Sequence, residues 1–234
     1  MIKVVIFDLD NTLVDFMRMK EEAVNAAVWA MVDAGLDMTM DQAHDGIYEI
    51  YETYGIEYQH VFEDFLIQQI GEVDHKVLAA GIVAYRRARE AALVPYPHTR
   101  ATLAALARSG MTLAVLSDAP TREAWLRLCQ LQLHHVFDEV VTFDDTGVRK
   151  PAPEPFERVL ALTAVDPTDA LMIGDWPERD VVGARQMGLH TAFARYGTTS
   201  QVAEGASGAD YELSSIKEIP AVVSIIDTKM KTDS

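Results

Sequence analysis

The chain opens on a strand that has no polar face. Ile2-Lys3-Val4-Val5-Ile6-Phe7 is apolar and β-branched almost throughout, without the alternation that a half-solvated strand shows. Such a strand must be covered on both sides. Similar short runs recur at 112–116, 171–173 and 191–193, with a weaker one at 139–143. Between them, residues 99–108, 121–131, 154–163 and 178–187 carry apolar residues at helical spacing. Doubly buried strands alternating with helices predict the α/β class, a parallel sheet layered with helices.

One long stretch breaks the alternation. From residue 16 to 94 no strand pattern occurs. Ala23, Ala26, Ala27, Ala30, Met31 and Ala34 fall on one helix face, and Phe62, Phe65, Leu66 and Ile70 repeat the spacing, as do Leu78, Ile82 and Tyr85. Gly35, Gly55 and Gly71 are candidate helix stops. The expected organisation is a sheet core, 1–15 and 95–228, interrupted by a helical cap of about four helices at 16–94. Pro95-Tyr96-Pro97 marks the return, and 229–234 reads as a flexible polar tail.

Charge and composition exclude several roles. A net charge of −16 leaves no basic face for a nucleic-acid backbone. No apolar run approaches the roughly 20 residues that span a bilayer, and the N-terminal run is too short for a secretory signal. Cys129 is the only cysteine, so no internal disulfide forms. A cytoplasmic address follows. Cys129, Trp29 and Trp125 stand among apolar helical neighbours and read as core, Arg18 and Lys20 as an exposed helix face, and His134-His135 as surface. The alanine-rich faces suit packing inside the cap or against a second copy, which leaves monomer and homodimer open.

The polar residues just beyond each strand carry the chemistry, because open α/β sheets form their crevice there. Asp8-Leu9-Asp10-Asn11-Thr12 follows the first strand and Ser117-Asp118 the second. Lys150 precedes the helix that begins near Pro153, and Gly174-Asp175, with Asp180 five residues on, follows the run at 171–173. Asp8, Asp10, Asp175 and Asp180 would repel one another without a cation, and hard oxygen ligands favour Mg²⁺. An ionised aspartate beside it can act as a nucleophile toward phosphorus. Lys150 and the Ser117 hydroxyl suit a phosphoryl group, and a second carboxylate suits proton transfer. Taken singly, an Asp-x-Asp is as often a capped turn, Lys150 a solvated lysine, Ser117 a helix cap and Asp180 a partner of Lys150.

In this order the residues resemble the haloacid dehalogenase superfamily, and within it the phosphatases that carry a helical cap after the first motif. The resemblance covers nearly the whole chain. It implies a Rossmann-like, three-layer α/β/α core with an inserted cap, and Mg²⁺-dependent hydrolysis of small-molecule phosphate esters. On the family pattern Asp8 is the nucleophile and Asp10 the general acid and base. Thr12, Ser117, Asp118 and Lys150 fall at the phosphate. Asp8, Asp10 (through its carbonyl), Asp175 and Asp180 fall at the metal. Asp118-Ala119-Pro120 departs from the commoner Asn- or Asp-Gly after the motif serine, and bulky Trp176-Pro177 follows Asp175. Three rivals stand beside this reading: carbon–halogen hydrolysis, which Asp10 disfavours because those relatives replace it; an intramolecular phosphomutase; and a non-catalytic binding protein on the same fold.

Overall fold

The computed structural model describes residues 1–232. In chain order its elements are β1 (Val4–Phe7), α1 (Phe16–Asp33), α2 (Met40–Tyr54), α3 (Val61–Ile70), α4 (His75–Ala92), α5 (Thr99–Arg108), β2 (Thr112–Leu116) and α6 (Thr121–Gln130). There follow β3 (Glu139–Val141), α7 (Phe143–Thr146), α8 (Pro153–Thr163), β4 (Ala170–Gly174), α9 (Val182–Gln186), β5 (His190–Ala194), β6 (Tyr211–Leu213) and α10 (Ile219–Thr232). They divide into two compact units, Met1–Asp15 joined by the stretch from Val94 onward, and Phe16–Leu93.

The first unit is the α/β sheet that the apolar runs predict. Its strands lie in the order β3-β2-β1-β4-β5-β6, every neighbouring pair parallel. β1 is central, with Val4 opposite both Thr112 of β2 and Ala170 of β4. Both β1 and β4 are buried along their whole length. On one side Val4, Ile6 and Met172 pack with Phe156 and Val159 of α8. From β1 the sheet grows outward through β2 to β3, and the chain then returns to β4 on the other side. The order reverses beside β1, so the crevice of an open α/β sheet falls at the C-terminal ends of β1 and β4.

Several expectations are corrected in this unit. The polar tail expected from Lys229 is helical as far as Thr232, with Lys229 and Lys231 in the last turn, where cations favour the helix dipole. Its last two positions, 233 and 234, lie outside the described residues. β6 has no counterpart in the sequence reading, being only three residues long. Cys129 and Trp125 are exposed, not core. On α6 the buried positions are Glu123, Ala124, Arg127 and Leu128, and the two expected core residues fall outside that phase.

The second unit, α1 to α4, is wholly helical. α1 and α4 are in close contact, and Gly81 is what permits it: a Cβ there would sit 2.9 Å from Met31 Cγ. Phe65, Leu66, Ile47 and Met31 are fully buried at the centre. Thr39 and Gln42 form a capping box on α2, Asp74 caps α4 through the Lys76 and Val77 N–H groups, and Gly55 and Gly71 end α2 and α3. Two residues differ from expectation. Trp29 is exposed, because the buried stripe of α1 runs through Ala23, Ala27 and Met31. Lys20 is buried: its Nζ donates to Tyr85 Oη at 3.0 Å and lies 4.1 Å from the centre of the Tyr51 ring.

Candidate active site

Asp8 continues the ladder of β1 by one residue, its N–H donating to Ile173 O at 2.8 Å. The chain then turns tightly. Asn11 takes a left-handed conformation, φ 57°, which asparagine tolerates better than most residues. Leu13 N–H closes onto Leu9 O at 3.0 Å. From behind, Tyr196 Oη donates to Thr12 O at 2.9 Å, and Gly197 lies so close to the Asn11 carbonyl that any side chain there would overlap it. The loop that carries Asp8 and Asp10 is therefore braced by β5's exit.

Lys150 reaches under this loop. Its Nζ donates to Asp8 Oδ1 at 2.6 Å and to Leu116 O at 3.0 Å, and forms an ion pair with Asp180 Oδ1 at 2.7 Å. Asp180 comes from a π-helical turn, Pro177–Val181, and its Oδ2 accepts from Trp176 N–H at 3.0 Å. Gly174 makes room for it, since a Cβ at that position would overlap the Asp180 carboxyl. Asp175 completes the group: Asp8, Asp175 and Asp180 each offer a carboxylate oxygen within 4.8 Å of the others. Thr12 Oγ1 sits between two of them, 3.4 Å from Asp8 Oδ2 and 3.5 Å from Asp175 Oδ1.

The electrostatics follow from burial. Desolvation pushes Asp8 up to about 7 although Lys150 opposes it. Burial, reinforced by the charges of Asp8 and Asp180, raises Asp175 to about 9. Burial works to lower the Lys150 ammonium, but the carboxylates of Asp180, Asp8 and Asp118 outweigh it and hold the group above its ordinary range. Three carboxylates against one ammonium leave two negative charges uncompensated, the charge of a divalent cation. Oxygen donors alone, close together and short of positive charge, fit a hard ion such as Mg²⁺.

Three expected site residues sit apart from this triad. Ser117 Oγ accepts from Ala119 N–H at 3.2 Å, steadying its own loop and not capping α6, whose cap position is Pro120. Asp118 accepts the Lys150 backbone N–H at 3.0 Å and Arg179 Nη1 at 3.3 Å, which ties together the loops after β2, before α8 and after β4. Asp10 turns its carboxylate to Arg127, with Nε 3.1 Å from Oδ1. Arg127, Arg179 and Tyr196 are absent from the sequence reading. Arg127 alone carried a signal, a charge in phase with Ala124 and Leu128 on the apolar face of α6.

Known proteins resemble this chain over most of its length. A family model described as haloacid dehalogenase-like hydrolase matches residues 2–188. The glyceraldehyde 3-phosphate phosphatase of Methanocaldococcus jannaschii is 32% identical over 223 residues, 95% of this chain and 97% of that one. Among solved structures, a HAD phosphatase from Thermococcus onnurineus superposes with a TM-score of 0.69 at 23% identity, covering 95% of this chain and 98% of that one. A 2-haloacid dehalogenase from Pseudomonas syringae does so with a TM-score of 0.63 at 22% identity, covering 96% and 99%. Phosphatase and dehalogenase thus share the fold, and the side chains must separate them.

Proposed function

The chain belongs to the haloacid dehalogenase-like hydrolases, and from that premise we propose that it hydrolyses phosphate monoesters of small metabolites, with Asp8 as the nucleophile. One observation carries the reading: Asp8 stands at the switch point of the sheet, held by Lys150, in a carboxylate cluster two positive charges short. Carbon–halogen hydrolysis has no use for such a cluster or for a second aspartate at position 10. We assign Asp8, Asp175 and Asp180, with the Asp10 carbonyl, to holding Mg²⁺. Bound there, the ion would neutralise phosphate oxygens and keep Asp8 ionised.

The residues of the chain then divide the work. Lys150 orients Asp8 and adds positive charge beside the phosphoryl group, and Ser117 and the N–H groups of its loop receive the other phosphate oxygens. Asp8 Oδ attacks phosphorus in line, the P–O ester bond breaks, and Asp10 gives its proton to the departing alcohol oxygen. Asp10 next takes a proton from water, the water oxygen attacks the aspartyl phosphate, and inorganic phosphate leaves with Asp8 restored. Thr12 holds the spacing of Asp8 and Asp175. Among the described residues no helix is long and apolar enough to cross a membrane, and we place this chemistry in the cytoplasm.

Glyceraldehyde 3-phosphate is the first ester to test, because relatives similar over most of both chains are glyceraldehyde 3-phosphate phosphatases. The protein is expected to release phosphate from it and from p-nitrophenyl phosphate with Mg²⁺, to stop in EDTA, and to lose at least about 10⁴-fold of its rate in Asp8→Asn. Full activity of Asp8→Asn would refute the nucleophile assignment. Release of halide from 2-haloacids without metal, and no phosphate release, would move the chain to the rival chemistry.

A further inference from the structure

We infer that Arg127 is a positioning residue for the proton transfer, its charge holding the Asp10 carboxyl in the orientation from which a leaving oxygen is protonated; the inference rests on the phosphatase reading above. α6 is a ten-residue amphipathic helix, and Arg127 lies in the middle of its buried face, its side chain 7% exposed. It shares that face with the buried Glu123, one turn earlier, and with Ala124 and Leu128. An alkyl side chain would fill the same place without the cost of desolvating a guanidinium. One contact of Arg127 runs from α6, the helix after Ser117, to the loop after β1, with Nε 3.1 Å from Asp10 Oδ1.

Asp10 lies outside the carboxylate triad. Asp8, Asp175 and Asp180 are mutually close, and Lys150 ties two of them, whereas the Asp10 carboxyl faces α6. The backbone at Asp10 is fixed by its bridge to Val14 and by the left-handed Asn11. Its two side-chain torsions are not fixed by the backbone. An ion pair at one carboxyl oxygen keeps the group turned toward α6 and so narrows the directions in which the second oxygen can point. A lysine at 127 would keep the charge and lose that directionality.

The test separates positioning from bulk stability by the leaving group. Phenyl phosphate and p-nitrophenyl phosphate have nearly the same shape, but phenolate is the more basic leaving group and needs its proton in the transition state. Their kcat/KM values, measured with Mg²⁺, report the step in which Asp8 is phosphorylated. In Arg127→Met, kcat/KM for phenyl phosphate is expected to fall about 50-fold and that for p-nitrophenyl phosphate by about threefold or less, with KM held within about twofold. Arg127→Lys, the variant that keeps the charge, is expected to lie between, with a selective loss of about fivefold; it decides the matter if Arg127→Met does not fold. Equal losses on the two esters, or none, would overturn the role of Arg127 while the phosphatase reading stands. A wild-type protein inactive on both esters and on glyceraldehyde 3-phosphate would overturn the reading itself, and the inference with it.

Discussion

The two units bury opposite kinds of material. Among the described residues, the interior of Phe16–Leu93 is hydrocarbon and aromatic ring, with Lys20 its one buried charge, and even that cation lies against Tyr51 and Tyr85. The rim of the sheet unit buries Asp8, Lys150, Asp175 and Asp180 just beyond the strands, and Arg127 on the inner face of α6. In the helical unit each buried group adds to stability by leaving water. On the rim Asp8 and Asp175 are held against their own ionisation, burial pushing them up to about 7 and about 9. A region whose interior opposes its own ionisation has been shaped by something other than folding.

That contrast can be broken by experiment. The largest expected effect is in Lys150→Met, which removes the one cation facing the triad and costs about 3–5 kcal/mol at pH 8. Between pH 8 and pH 5 Asp8 takes up its proton, Asp175 being mostly protonated already, and the loss should shrink. Phe65→Ala in the helical unit is expected to cost a similar 3–5 kcal/mol through the cavity it leaves, but equally at both pH values. Urea unfolding of the two variants at pH 5 and 8 makes the comparison, and a pH-independent loss in Lys150→Met would erase the distinction.

A smaller effect sharpens it further. In the metal-free protein the folded values of Asp8 and Asp175, about 7 and about 9, exceed the ordinary 3.8. The folded state therefore binds more protons than the unfolded one in this range, and stability must fall as pH rises from about 4 to about 9. Held by the triad as proposed, Mg²⁺ would favour the ionised carboxylates against the burial and mutual repulsion that raise them. Its gain in Tm should be larger at pH 8 than at pH 5, by about 4 °C or more in thermal melts. The smallest effect belongs to Gly81→Ala. Helix propensity favours alanine by about 1 kcal/mol, but the new methyl meets Met31 Cγ at 2.9 Å and Sδ at 3.2 Å. A net loss of about 1 kcal/mol is expected from overpacking, and a gain in stability would show the α1–α4 contact to be looser than drawn.

The sheet was legible because its strands are buried on both faces, so hydrophobicity alone marked β1, β2, β4 and β5. The polar residues of the candidate site were legible for a related reason: each stands at the point where such a run stops. Arg127 was not, because a charge inside a helix defaults to solvent unless the phase of the helix is known. The same missing phase put Trp29, Trp125 and Cys129 in the core on the strength of their hydrophobicity and left Lys20 outside it. Asp118 was placed by its neighbour Ser117, and nothing in a linear sequence announces that its carboxylate meets the backbone N–H of Lys150 thirty-two positions on. β6 has three residues, and only its pairing with β5 makes it a strand.

Gly174 bears on how such a chain can change over generations. Its backbone is ordinary strand, so nothing about flexibility demands glycine. The space that a Cβ would take is already filled by the Asp180 carboxyl. Positions 174 and 180 are therefore not free to drift separately: a side chain can be gained at the first only after the carboxylate at the second has gone or moved. A descendant with alanine at 174 would record, in one letter, that its site had already been abandoned.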